Sequence, residues 1–368
     1  MALDPYTIDR ELAVRLLSRL SEAHGAPGTE HAVRRIFKNE VKLPTWTDRF
    51  GNVFARKEGT ETSPRIMVTA HMDEVGFVVQ SITRSGLIKI APLGGWWPHV
   101  LLAQRVRILT RAGEEIPGVI SAKPPHFLQE GEREKVMKLE DMFVDVGAEQ
   151  AMEVEEFFGI RLGDTVVPDT PVLAMKKDCY LLGKAFDNRV GLALTILTLG
   201  CLDRVPHPNQ VLGVGTVQEE IGTRGAQPAA NEANPDAAIV LEGTPADDFP
   251  GIPEDERQAI LGKGPQIRIL DPSAILNRKF VDLACDVAKQ LGIPSQLAVR
   301  KSGGTDAKMI HLHASGVPTI VLGVPARYIH TPQSVLHVED YVSTLRLVLG
   351  IVSALDAATV SGLRNYSD

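Results

Sequence analysis

The chain has 368 residues, 44% of them apolar and 23% charged, a composition that excludes a disordered or fibrous protein. That length exceeds what a single core usually supports, so two domains are expected. A formal net charge of -7 argues against nucleic acid or an anionic membrane as the main partner.

Three cysteines, Cys179, Cys201 and Cys285, are scattered with no CxxC pair and read as reduced, mostly buried thiols. The first twenty residues carry acidic groups throughout and do not read as a secretory signal. No apolar run approaches the length of a membrane span, so a cytoplasmic, soluble protein is expected.

Leu12, Val14, Leu16, Leu17 and Leu20 fall near helical spacing and predict an amphipathic helix from Ile8 to about Leu20. HGAPGTE (24 to 30) interrupts it, and Thr29 is the expected cap of a second helix through Val33, Ile36 and Phe37. TDRFGNVFARKEG predicts a hairpin around Phe50-Gly51-Asn52. The apolar IMVTA of RIMVTAHMDEVG then predicts a buried strand of an α/β sheet. After Gly76 the texture changes to short β-type runs: FVVQSI, LIKIAPL, QRVRILT, PGVISA, FVDVG and DTVVP. Turn residues such as Arg84-Ser85-Gly86 separate them, which predicts a small β-barrel or sandwich inserted into the α/β domain, the barrel being the expected form. The expected division is therefore an α/β domain from 1–76 and 173–368, with the insert at 77–172. Lys123 to Asp141, proline-rich at its start and highly charged, reads as an exposed loop. From Tyr180 the α/β alternation resumes, with DNRVGLALTILTLGCL, NRKFVDLACDVAKQLG and VEDYVSTLRLVLGIVSALD as helices. QVLGVGTV, AAIVLEG, QLAVRK and PTIVLGV are the strands, giving a mostly parallel, mixed sheet covered by helices.

Five places set a metal-binding side chain at the end of an apolar run: His71 and Asp73, Asp187, Glu219 with Glu220, Glu242, and His330. One strand-end carboxylate is more often a cap or surface group, but five placements mixing imidazole and carboxylate are hard to explain as independent caps. The donor types suit zinc, cobalt or manganese. Two such ions, about 3.5–4 Å apart, need a shared carboxylate and terminal ligands, and acidify a common water. A separate, unligated carboxylate must then move the proton. Neighbours on a strand point to opposite sides, so Glu219 and Glu220 divide into one base and one ligand. Asp73, two residues after His71, is placed to hold that imidazole's tautomer.

AHMDEVG, FDNRVG, QEEIGTRGA, LEGTPADD, SGGTDA and ARYIHTP resemble, in order, the blocks of the dinuclear-zinc aminopeptidases of the glutamyl-aminopeptidase family. That family includes the self-compartmentalising tetrahedral aminopeptidases. GGWWPHVLLAQRV and the KPPH loop extend the resemblance through the insert. The resemblance implies Asp187 as the bridging carboxylate, with His71 and Glu242 on one metal and Glu220 and His330 on the other. It makes Glu219 the general base and Asp73 the residue orienting His71. Many members carry aspartate where this chain has Glu242. Zinc is the expected metal, two ions per subunit, and short peptides are the expected substrates. The insert becomes a dimerisation domain, with further assembly up to a dodecamer. Trp96-Trp97 and Val100 to Leu102 would serve that interface or fill the insert's own core.

His99, His126, His207, His311, His313 and His337 lack a comparable strand-end setting and read as structural or surface groups. The Gly303-Gly304-Thr305-Asp306 loop is either a plain turn or, by resemblance, part of the substrate pocket. A competing function is a glycoside hydrolase, which needs two carboxylates about 5–9.5 Å apart and no metal. The histidines and the low aromatic content of 5% argue against it. A non-catalytic assembly protein is disfavoured because Glu219 and all five candidate ligands are present.

Overall fold

The computed structural model describes residues 5–131 and 133–366. The chain opens with α1 (Arg10–Glu22), capped by Asp9 accepting from the Leu12 amide, and α2 (His31–Glu40). Thr29 is not the cap of α2. Glu30 occupies that position, and the Thr29 hydroxyl is spent on the Ala26 carbonyl and Thr165 instead. The expected hairpin follows as β1 (Thr45–Thr47) and β2 (Val53–Lys57), paired antiparallel, and β3 (Arg65–His71) carries the buried IMVTA run.

Six strands then form a closed antiparallel barrel. They are β4 (Gly76–Ile82), β5 (Ile88–Leu93), β6 (Arg105–Leu109), β7 (Glu115–Ser121), β8 (Phe143–Asp145) and β9 (Thr165–Pro168). The barrel order is β4-β5-β8-β7-β6-β9. Alternate residues point inward, so Phe77, Val79, Ile88, Ile90, Val106 and Ile108 fill a core separate from that of the large sheet. Each such side chain contributes about 1.5–3 kcal/mol by leaving water. Gly86 closes the β4–β5 turn at φ 76°, a left-handed conformation that favours glycine. The short α3 (Ala151–Glu156) precedes β9. The two tryptophans divide. Trp96 stacks on Phe77 at 4.8 Å and donates to the Gly76 carbonyl, whereas Trp97 is 61% exposed. Leu101 is buried and Leu102 exposed.

The large sheet resumes with β10 (Leu173–Ala174), β11 (Tyr180–Gly183), α4 (Phe186–Cys201), β12 (Gln210–Thr216), α5 (Ala226–Ala233) and β13 (Ala237–Pro245). It continues with β14 (Gln266–Asp271), β15 (Ala274–Ile275), α6 (Arg278–Gln290), β16 (Gln296–Val299), α7 (Ala307–Ile310) and β17 (Thr319–Arg327). β18 (Ser334–His337), α8 (Val338–Ala354) and α9 (Ala357–Arg364) complete the described chain. Twelve strands form the sheet, in the order β1-β2-β12-β3-β13-β17-β18-β11-β10 with β14 to β16 branching from β17. Its centre, β12-β3-β13-β17, is parallel and its wings are antiparallel. Helix α4, apolar almost all round, packs on this centre together with α1 and α8. Among the described residues no single helix is long and apolar enough to cross a membrane.

Helix α5 and strand β14 have no counterpart in the sequence reading. AQPAANEA lacks an apolar period, and QIRILD hides a charge, Arg268, that is buried only because Asp271 pairs with it.

Candidate metal centre

The parallel register places Thr216, the end of β12, directly beside His71, the end of β3, with Glu242 on the neighbouring β13. Glu219 and Glu220 therefore enter the same space one turn beyond β12. Asp187 arrives from the first turn of α4, whose backbone leaves helical geometry at Asp187 and Asn188. His330 comes from the loop after β17. The site thus lies outside the carboxyl ends of the parallel strands, where open α/β sheets bind ligands.

His71 Nε2 lies 3.3 Å from Asp187 Oδ1, 3.7 Å from Glu242 Oε2 and 3.8 Å from Glu219 Oε2. His330 Nε2 lies 3.3 Å from Asp187 Oδ2 and 3.3 Å from Glu220 Oε2. Two groups with metal-ligand geometry result, His71-Asp187-Glu242 and Asp187-Glu220-His330, sharing Asp187. A third, His71-Glu219-Glu220, overlaps both and brings Glu219 against the cluster.

Both imidazoles are oriented from behind. His71 Nδ1 faces the Asp73 carbonyl at 3.1 Å and its carboxylate at 3.4 Å, while His330 Nδ1 faces the Gly95 carbonyl at 3.1 Å. Each ring donates there and turns Nε2 towards the carboxylates. Asp73 has a further task. Its two oxygens accept the Glu219 and Glu220 amides, each at 3.0 Å, which fixes where the paired glutamates stand. Ala185, Gln218, Tyr328 and His330 all take left-handed backbone, a concentration of strain at the ligand-bearing turns that the surrounding bonds must hold. Glu30 supplies one such bond, accepting from the Gln218 amide.

Beneath the cluster, Glu74 takes Lys184 on both oxygens at 2.7 Å and Arg189 at 3.0 Å, all three buried. Arg189 also donates to the carbonyls of Leu20, Ala23 and Gly25. This triad ties the segment carrying His71 to the one carrying Asp187. Burial brings the Lys184 ammonium down to about 8, although Glu74 pulls the other way. Asn188 fixes the same turn to β13, donating to the Leu241 carbonyl and accepting from the Gly191 and Gly243 amides. At Gly243 a Cβ would meet the Phe186 carbonyl oxygen at 2.6 Å and the Asp187 amide nitrogen at 2.8 Å, so only glycine admits Asp187 so close to Glu242.

Burial drives Glu219 and Glu242 well above the usual carboxylate range and Glu220 up to about 8. Burial also lifts Asp306, which accepts the Thr216 hydroxyl, to about 6. Asp187 goes the other way: burial opposes its ionisation, but hydrogen bonds from His330 and His71 overcome it. Burial would lower both imidazoles, yet Asp187 and Asp73 hold His71 well above its ordinary value, and Glu220 and Asp187 raise His330 to about 9. So crowded a set of buried carboxylates and imidazoles favours a divalent cation as its counter-charge. Glu220 Oε1 is buried without any partner. Donor set, shared carboxylate and orphaned oxygen all fit two divalent ions.

The cluster floors a cleft of about 580 Å³ whose walls include Gly303, Gly304 and Thr305, so that loop borders the pocket. The six histidines set aside from the sequence lie outside the three groups, and Cys201 and Cys285 are free thiols that burial makes less acidic.

A sequence profile of the M42 glutamyl aminopeptidases matches residues 51–347. The chain belongs to the M42 glutamyl aminopeptidase family. The glutamyl aminopeptidase of Lactococcus lactis subsp. cremoris is 35% identical over 352 residues, covering 94% of this chain and 98% of that one. The TET aminopeptidase of the marine sediment archaeon Thaumarchaeota archaeon SCGC AB-539-E09 superposes with a TM-score of 0.91 at 39% identity, covering 96% of this chain and 99% of the other. The TET1 peptidase of Pyrococcus horikoshii, which can assemble into a tetrahedron or a large octahedral shell, gives a TM-score of 0.83 at 28% identity, covering 93% and 100%. The M42 chain is a metal-dependent hydrolase with aminopeptidase chemistry.

Glu74, Lys184, Arg189, Asn188 and Gly95 went unassigned in the sequence, and Asp306 was read only as part of its loop. Lys184 follows the YLLG strand, Arg189 precedes the apolar run of α4, and Glu74 immediately precedes VGFVV. Opposite charges within runs that must be buried are the signal that could have paired them.

Proposed function

We propose that this chain removes N-terminal residues from short peptides. In this reading His71, Asp187 and Glu242 hold one metal ion, and Asp187, Glu220 and His330 hold the other. The observation that carries it is Asp187, whose two oxygens each face a different imidazole at 3.3 Å. Zinc suits the donor set best, with cobalt or manganese as alternatives. Such a pair acidifies water and polarises a scissile carbonyl when bound.

The protein's own residues do the rest. Glu219 takes the proton from the attacking water and delivers it to the departing amine, its carboxylate standing against the cluster 3.8 Å from His71 Nε2. Asp73 orients His71 and holds the Glu219 and Glu220 amides, so base and ligand keep fixed relative positions. The carboxylate-rich floor gives the substrate's α-ammonium group a counter-charge, which selects chain ends over internal bonds. Glu242 is a ligand in this reading because its Oε2 reaches within 3.7 Å of His71 Nε2.

The barrel, with residues 77–172 as its unit, serves self-association in this reading. Trp97, Leu102, Val119, Phe127 and Val136 leave apolar surface exposed on it, and the shell-forming TET1 relative supports assembly into a closed shell, a dodecamer being the size proposed. Light scattering on the intact protein measures this, and a monomer would refute it.

The test of the chemistry is Glu219→Gln. Metal content should be retained while turnover of an aminoacyl anilide falls by about 10²–10⁴-fold, the usual worth of a general base. Turnover near the wild-type rate would remove Glu219 from the role.

A further inference from the structure

The metal cluster occupies one end of the parallel strands, and a second cavity, of about 770 Å³, lies at the other. It opens where the neighbours β3, β13 and β17 begin, and its lining includes Arg65, Asp236 and Thr319. Arg65 and His71 are the two ends of β3, about 20 Å apart at the rise of a strand. The proposed peptide chemistry makes no use of this cavity.

Its lining is cationic in a chain whose net charge is -7. Arg65, Arg278, Arg364, His311 and His313 border it, against a single carboxylate, Asp236. That carboxylate is already committed. Oδ2 accepts the Arg65 amide and Oδ1 the Arg364 guanidinium, each at 2.8 Å. The half-buried Arg65 guanidinium forms no hydrogen bond or ion pair among the described residues. Arg278 commits only Nε, to Asp282 at 3.2 Å, and both its terminal nitrogens stay open. His311 spends Nδ1 on the Ala307 carbonyl at 2.6 Å and keeps Nε2. The rim has a different character. Tyr366 is 82% exposed and Ile275 78%, and the Tyr366 hydroxyl accepts from Asn277 Nδ2 at 3.1 Å, which holds the ring at the mouth.

A concave wall with one spent carboxylate among three guanidinium groups concentrates positive potential. The fork of N–H donors on each guanidinium matches paired phosphate oxygens, and Arg65 and Arg278 have such donors to give. An exposed aromatic ring beside an apolar side chain offers a flat platform for a planar heterocycle. The volume lies in the range that encloses a small organic ligand. A peptide carboxylate would satisfy the cations and leave the platform in water, whereas a phosphate ester of a ring-bearing alcohol uses both. We infer that this cavity binds a nucleoside monophosphate, its phosphate on Arg65 and Arg278 and its base stacked on Tyr366.

The test is titration calorimetry of adenosine monophosphate onto the metal-loaded protein, beside adenosine and inorganic phosphate alone. The nucleotide should saturate and bind about 10-fold or more tighter than either fragment, a difference of about 1.4 kcal/mol. Arg65→Gln and Arg278→Ala should each weaken the nucleotide about 10-fold, the worth of a charge-assisted contact. Tyr366→Ala should reduce it to the affinity of inorganic phosphate. Metal content and anilide turnover should not change in any of the three. Arg278 and Tyr366 are exposed, so their variants decide the matter even if Arg65→Gln folds poorly. A nucleotide that fails to saturate, that inorganic phosphate equals, or that both exposed variants bind like wild type overturns the inference. So does competitive inhibition of anilide cleavage that the variants leave unmoved, which would put the nucleotide in the catalytic cleft. Tighter binding of N-acetyl-triglutamate, weakened by Arg278→Ala, would make the cavity a dock for acidic peptides and overturn it too.

Discussion

The two halves of the candidate metal centre are built differently. The His71 half belongs wholly to the α/β sheet: His71 ends β3, Glu242 lies on β13, and the supporting Asp73 is two residues from the ring it orients. The His71 side chain is 2% exposed. The His330 half is assembled from farther apart. His330 sits on a left-handed residue of a loop, is 37% exposed, and takes its supporting carbonyl from Gly95, which follows barrel strand β5. One half is held by the strands that bear it, and the other borrows its support from the inserted barrel. The barrel is therefore part of what shapes the site, whatever its role in assembly.

That contrast can be broken at several points. Glu74→Gln strikes the support common to both halves, leaving Lys184 and Arg189 buried without their counter-charge. It should cost about 3–5 kcal/mol of stability in denaturant unfolding, and a loss below 1 kcal/mol would mean the triad does not tie the segments together. Asp73→Asn should weaken metal binding about 10–100-fold in a chelator competition, with the larger loss in the His71 half whose ring it orients.

Proton coupling gives a third approach. Without metal, Glu220 at about 8 and His330 at about 9 both hold protons at neutral pH, and a bound cation must displace them. Affinity at the His330 half should therefore fall as pH drops from 9 to 7, by up to about tenfold per pH unit for each displaced proton. Calorimetry in buffers of different ionisation enthalpy should register protons released on zinc binding. No release at pH 7 would contradict the account.

The smallest effect concerns the seam between sheet and barrel, where His24 Nε2 meets the Thr165 hydroxyl of β9 at 2.8 Å. Burial, with Lys184 next in weight, depresses His24 to about 2. Its folded value lies below the unfolded value of about 6.5, so the stability it contributes is complete above that pH and is lost as pH falls below it. Unfolding free energy should drop by about 1 kcal/mol between pH 6.5 and 5.5 through this group, and His24→Gln should remove that slope.

Much of this was legible in the residues. His71, Asp187, Glu220, Glu242 and His330 each follow or end an apolar run, and the geometry brings all five together, although β12 stops at Thr216, so Glu219 and Glu220 are parted by a turn and not by strand alternation. The six barrel strands announced themselves through short β-rich runs between turns. What stayed hidden was the support. Gly95 acts through a backbone carbonyl that any residue possesses, and its position is set by tertiary packing across 235 residues. Asp73 could be read as a partner of His71, but its hold on the Glu219 and Glu220 amides needs the fold to bring β3 beside β12. Thr29 was misread because its local capping signal lost to a better partner on the barrel, Thr165.

The central claim is that one carboxylate, Asp187, serves two metal ions. Its most direct test is the metal content per chain, by mass spectrometry of elements, for the wild type, His330→Ala and Asp187→Asn after loading with zinc and desalting. The account predicts about two ions, one ion and fewer than one ion respectively. Two ions retained in Asp187→Asn, or a wild type that saturates at one, would contradict it.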